Sequence, residues 1–153
     1  MKIIERIDAL ENVTLISLEN APSGIAFLSE LFALISKNGV NVDMIARTPA
    51  RVSGADLCFT VGDGDLSKAL EISNELRRQN GGIKAGVNSG NVKISVFGEA
   101  MRASHGVAAK VFKTVADAGA EILLLTTSEV DISILLTQHD AQKALQSLEF
   151  LDL

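Results

Sequence analysis

The chain has 153 residues, 47% of them apolar, and a formal charge of −5, which suits one ordinary domain or two very small ones around a packed core. Its only adjacent cations are Arg77 and Arg78, so it lacks the basic cluster that a phosphate backbone requires, which argues against a nucleic-acid partner. The lone Cys58 allows no internal disulfide. Charges at Glu5, Arg6 and Asp8 break any signal-peptide core, and no later stretch approaches a membrane span; a soluble cytoplasmic protein is expected.

The first half reads in order as follows. Residues 13–18, VTLISL, form a β-rich run, and the turn-prone 19–24 follows. From Ile25 onward, Leu28, Leu31, Phe32 and Ile35 fall on one face at spacings of three and four, which predicts an amphipathic helix ended by Asn38 and Gly39. Strands are expected over 40–46 and 57–61, with 47–56 a polar connection between them. Cys58, flanked by Leu57 and Phe59, reads as a small buried apolar residue. Asp65 is placed as the cap of a second helix with Leu66, Ala69, Leu70, Ser73 and Leu76 inward, and a short strand over 83–87 closes the unit.

The second half repeats this order. Residues 93–97 match the first strand 80 positions on, Phe112 matches Phe32, and Gly119 matches Gly39. Strands are expected over 122–126 and 132–136. Beyond that hairpin the spacing falls to 75, aligning Asp65 through Leu70 with Asp140 through Leu145, because the first hairpin is longer. Two βαββα units joined near Asn88, Ser89 and Gly90 are what this pattern requires.

The second unit runs out of chain before a closing strand. Residues 2–7 precede the first unit without an assigned partner, and an unpaired edge would expose backbone groups. The economical arrangement pairs 2–7 with the second sheet, so that the first module is inserted into the second. The expected modules are 11–90, and 1–10 with 91–153. A βαββαβ order with helices on one face of an antiparallel sheet is an α+β, ferredoxin-like arrangement, and such a fold leaves function to be argued from sites.

Gly39-Val-Asn-Val-Asp-Met-Ile45, Gly106-Val-Ala-Ala-Lys-Val-Phe112 and Thr126-Thr-Ser-Glu-Val-Asp-Ile-Ser133 resemble the paired ACT domains at the C-terminal end of aspartate kinases. The resemblance covers nearly the whole chain, and 27–34 is similar to the lysine-sensitive branch of that family. It implies a regulatory region without the kinase domain, hence no phosphoryl transfer by this chain. Independently, the sequence carries no glycine-rich phosphate loop of the expected form and no metal-carboxylate cluster. His105 stands where the family usually has Pro, and Glu121 where Asn is usual.

Read with that resemblance, the first loop is the expected ligand site. Backbone N–H groups around Ser23, Gly24, Ile25 and Ala26 suit a carboxylate at a helix N-terminus, while Asp43, Asn20 and backbone carbonyls offer acceptors for an ammonium group, with Asn41 and Val42 completing the expected site. Arg47 resembles a position lining the effector pocket in some relatives, and Val107, Ala108 and Ile122 are expected to close the pocket from a second chain. The bland readings are a plain turn for the loop, a solvated hairpin residue for Arg47 and core packing for the last three. Ser128 and Glu129 read as a turn that contacts a partner or solvent. His105 and His139 lack metal-ligand spacing, and no metal or cofactor is expected.

The expected function is therefore a non-catalytic sensor, binding lysine or threonine at a homodimer interface. The alternative is an interaction subunit of a separate aspartate kinase catalytic chain that no longer binds an effector. Enzymatic or RNA-binding uses of the fold fit poorly: the first loop has no Arg for a phosphate cradle, paired cysteines are missing, and several phenylalanines fall on helices.

Overall fold

The computed structural model describes residues 2–151; positions 1, 152 and 153, which the expected second module included, lie outside the described residues. Six strands and four α-helices follow in the order β1 (Arg6–Ala21), α1 (Ile25–Lys37), β2 (Ile45–Arg47), β3 (Ala55–Gly62), α2 (Leu66–Gln79), β4 (Lys84–Phe97), α3 (Val107–Asp117), β5 (Leu124–Thr127), β6 (Asp131–Thr137) and α4 (Gln138–Leu148). The chain divides into a unit spanning Asn12–Ser89 and a second unit made of the residues up to Glu11 with those from Gly90 onward.

In the 12–89 unit the strand order is β2-β3-β1-β4, and β3 runs antiparallel to both β1 and β2. Alternate residues Ile16 and Leu18 of β1 and Leu57, Phe59 and Val61 of β3 face α1 and α2, closing a core with Phe27, Leu31, Ile35, Ala69, Ile72 and Leu76. Phe59 is fully buried and meets Phe32 edge to face, with ring centroids 5.6 Å apart, the arrangement that aromatic quadrupoles favour.

The other unit has the order β1-β4-β6-β5, with β6 antiparallel to β4 and β5. Its core sets Val92, Ile94 and Val96 with Ile132, Ile134 and Leu136 against Val107, Val111 and Val115 of α3 and Ala141, Ala144 and Leu148 of α4. Each unit is thus a βαββαβ module, the second completed by the N-terminal end of β1. Ile4 is buried in this core, and the Glu5 N–H donates to the Phe97 carbonyl at 2.8 Å. Gly98 leaves room for this segment, because a Cβ there would lie 1.9 Å from the Ile3 carbonyl oxygen.

Several boundaries differ from the sequence reading. The N-terminal strand begins at Arg6, not residue 2, and runs unbroken through Ala21; the separate strands expected over 83–87 and 93–97 are one strand, β4. Each of these long strands carries a left-handed residue where the chain passes between units, Asn12 (φ 58°) and Gly90 (φ 72°), conformations that Asn and Gly tolerate. Of the expected 40–46 run only 45 and 46 are regular, in a strand that extends one residue further to Arg47; before it the Met44 N–H turns to the Thr60 hydroxyl at 2.9 Å rather than to a ladder carbonyl.

The expected strand over 122–126 is shifted to 124–127, and 132–136 is extended to 131–137. Phe27, not Leu28 or Phe32, joins Leu31 and Ile35 as the buried stripe of α1. On α2 Ile72 is buried where Leu66 and Leu70 are half-buried, and Asp65 makes no side-chain cap bond. Asp140 lies inside the first turn of α4, whose cap is Thr137. Cys58 is half-buried, its Sγ 3.6 Å from Ser17 Oγ.

Candidate functional site: two loop-to-helix junctions

Helix α1 starts from Gly24 in extended backbone (φ −72°, ψ 147°), and no side chain caps its first-turn amides. Unpaired N–H groups and the helix dipole make such a start favourable for an anionic group. Ser23, Gly24, Ile25 and Ala26 are all exposed, and the large apolar side chain of Ile25 is 75% accessible.

The connection between β2 and β3 holds this loop in place. Arg47, the last residue of β2, donates from Nη2 to the Ser23 carbonyl at 2.5 Å. Asn20, held at φ 55°, donates its backbone N–H to the Asp56 carboxylate at 3.1 Å, and Asp56 also pairs with Arg51 at 2.8 Å. Gly54 brings the connection close to the loop: its φ is +129°, and a Cβ there would sit 2.5 Å from the Ala21 carbonyl oxygen. Only glycine meets both demands.

Asn41, Val42 and Asp43 lead into β2. The Asp43 N–H donates to the Thr60 carbonyl at 3.1 Å, Asn41 and Asp43 are exposed, and Val42 packs on the core. Of the expected set, then, the structure joins Arg47 to Ser23 and ties Asn20 to the same β2–β3 connection, while Asn41 to Asp43 are anchored at the entrance to β2.

Val107, Ala108 and Ile122 belong to the other unit. Val107 and Ala108 line a cleft of about 290 Å³ with Ser104, His105, Gly106, Thr127, Ser128 and Glu129, floored by Met101 and Ile132. Gly106, at φ 83°, starts α3 without a side-chain cap. Ser128 holds the turn opposite, accepting the N–H groups of Val130 and Asp131 at 3.3 and 3.1 Å. Ile122 lies apart in a separate hollow with Phe112, Ala116 and Glu121, so the structure does not bring it to Val107 and Ala108. Sequence reasoning missed that Thr127 to Glu129 face the Gly106 loop. The available signal was the 80-residue spacing, which sets Thr127 where Arg47 stands.

Near Ile122, the Glu121 N–H donates to the Asp140 carboxylate at 3.2 Å. That bond, helped by the Lys143 ammonium 3.5 Å away, lowers the Asp140 pKa from the usual carboxylate value. Among the described residues no group of His, Cys, Asp and Glu is placed to hold a metal ion, and no helix is long and apolar enough to cross a membrane.

The chain is thus a tandem of ferredoxin-like modules, with helices α1 and α3 starting without side-chain caps. Residues 94–150 match the ACT domain family. The chain superposes on the regulatory subunit of aspartate kinase from Thermus thermophilus with a TM-score of 0.87, at 27% identity over 97% of each chain. It superposes on a chain of the aspartokinase alpha and beta subunits with a TM-score of 0.82, at 28% identity over 95% of this chain and 96% of that one. The aspartokinase of Geobacillus stearothermophilus is 29% identical over 141 residues, 92% of this chain and 33% of that protein. Residues 94–150 therefore carry an ACT-domain match, and the chain as a whole is similar to the regulatory region of aspartate kinases. It spans about a third of the length of the curated relatives that it matches.

Proposed function

We propose that the chain is an amino-acid sensor that regulates an aspartate kinase. Its carboxylate-bearing effector, lysine or threonine, binds at the start of α1 across a homodimer interface. The observation that carries this reading is the end-to-end likeness to an aspartate kinase regulatory subunit, 97% of both chains. The geometry supports it: the amides of α1 lack a side-chain cap, and Arg47 and Asp56 hold the loop before them in one conformation, so little ordering cost falls on ligand binding. An effector acts by its unequal affinity for two arrangements of the protein, and that difference sets the size of its regulatory effect. The kinase activity itself resides in a catalytic part outside these residues.

Isothermal titration with the aspartate-family amino acids tests the proposal, with sedimentation of the same samples reporting the dimer. Saturable binding of lysine or threonine is expected; heats indistinguishable from dilution for every one of them would remove the sensor reading. A second reading is favoured by the match to the alpha and beta subunits: the chain acts as a subunit docked on a separate catalytic chain. Co-purification of a kinase chain from the native host is its expected mark, and isolation of the chain alone counts against it.

A further inference from the structure

A carboxylate outside the expected site residues holds the loop that leads into α1. Asp56 lies near the start of β3, and its backbone is fixed from both sides by Thr48. The Thr48 N–H donates to the Asp56 carbonyl at 2.9 Å, and the Asp56 N–H donates to the Thr48 hydroxyl at 2.9 Å. One carboxylate oxygen accepts from the Arg51 guanidinium at 2.8 Å, which leaves the other turned to the Asn20 N–H at 3.1 Å. Asn20 sits at φ 55°, in the left-handed region that costs a side-chain-bearing residue free energy and persists where neighbours fix it.

The other unit uses the equivalent carboxylate differently. Asp131 precedes Ile132, which pairs with the end of β5 as Leu57 pairs with the end of β2, so Asp56 and Asp131 correspond. The Asp131 carboxylate accepts the Ser133 hydroxyl at 2.7 Å, on its own strand; Asp56 instead reaches across to the loop. We propose that Asp56 is the positioning residue of the α1 effector site, an inference that rests on α1 being that site. By holding Asn20 left-handed, it aims the backbone of 21–24, and so the amides that open α1, before a ligand arrives. Less conformational freedom is then lost on binding. Arg51 keeps the carboxylate turned toward Asn20. Asp56 acts through the loop and does not touch the effector.

The test pairs calorimetry, with L-lysine and L-threonine, with amide line widths of Asn20, Ala21, Ser23 and Gly24 in the free ¹⁵N-labelled chains. Asp56→Ala is expected to weaken whichever amino acid the wild type binds about tenfold, the worth of one hydrogen bond to a charged group, and to broaden the loop amides. Asp56→Asn keeps an acceptor oxygen for the Asn20 N–H and is expected to retain most of the affinity and sharp loop amides. Glu75→Ala, which removes an exposed ion pair to Arg78 on α2, is the control with wild-type affinity and line widths. Wild-type affinity in Asp56→Ala overturns the proposal and leaves the effector site standing. Weaker binding with loop amides still sharp also overturns it, because the carboxylate then acts on the ligand and not through the loop. No heat from either amino acid with the wild type removes the effector site itself, and the proposal with it.

Discussion

Replacing Gly98 by alanine removes the space through which the N-terminal segment joins the second unit. The added Cβ would lie 1.9 Å from the Ile3 carbonyl oxygen, 3.0 Å from its carbon and 3.3 Å from Ile4 Cα, all backbone atoms that no rotamer change can move. Gly98 itself is extended, at φ −174°, so the cost comes from this contact and not from backbone strain. Relieving it displaces residues 3–5. That exposes Ile4, now 3% accessible, and breaks the bonds from Glu5 N–H to the Phe97 carbonyl and from Glu99 N–H to the Glu5 carboxylate. Exposing one isoleucine costs about 1.5–3 kcal/mol and each of the two hydrogen bonds about 1 kcal/mol, so a loss of about 3.5–5 kcal/mol is expected. That corresponds to roughly 7–20 °C in melting temperature for a chain of this size. Urea unfolding gives the free energy, and amide exchange at Glu5 reports the displaced segment. Gly62→Ala is the control: its backbone is extended at φ −68°, nothing lies within 4 Å of the added carbon, and a change within about 0.5 kcal/mol is expected. Wild-type stability in Gly98→Ala, with Glu5 still protected, would refute the reasoning.

Other perturbations probe separate parts of the account. Ser73 is buried on α2 with no hydrogen-bond partner for its hydroxyl among the described residues, so Ser73→Ala should stabilise the protein by about 1 kcal/mol in chemical denaturation. Phe59→Ala removes a fully buried ring and its edge contact with Phe32, and a loss of about 3–5 kcal/mol is expected in the same assay. The Asp140 pKa is depressed in the fold, first by the Glu121 N–H and then by Lys143. Its stabilising contribution is therefore present above the ordinary carboxylate pKa and fades as pH falls through the lowered value. Wild type and Asp140→Asn should differ in stability at neutral pH and converge in acid, measured by melting curves from pH 7 to pH 2. Gly54→Ala demands an unfavourable φ and sets a Cβ 2.5 Å from the Ala21 oxygen. It should weaken effector binding at the α1 loop in calorimetry, with a stability loss of about 1–3 kcal/mol.

The repeat made the module plan legible, because Phe32 and Phe112, Gly39 and Gly119, and the two Asp-led helix segments recur at fixed spacing. What the pattern hid was continuity. Asp8, Glu11 and Asn12 interrupt the apolar alternation of β1, yet the strand continues on both sides of Asn12, which itself takes a left-handed conformation. The stripe of α1 was misread by one position because Leu28, Phe32 and Leu34 leave that helix apolar on more than one face, and only packing selects Phe27. β2 proved short because the Thr60 hydroxyl takes the Met44 amide, a competition that periodicity does not register. At the candidate sites, the residue types near Ser23 were readable as anion-binding chemistry. The reach of Arg47 to Ser23, and its replacement by an open cleft beside Thr127, depend on strand register.

The central claim, amino-acid sensing at the start of α1, is tested most directly by following the amides of Ser23, Gly24, Ile25 and Ala26 while L-lysine and L-threonine are titrated separately into the labelled chain. Saturable shifts at these residues and at Asn41 and Asp43 with at least one of the two amino acids are the predicted result. Amides that stay unmoved to millimolar concentrations of both would contradict it.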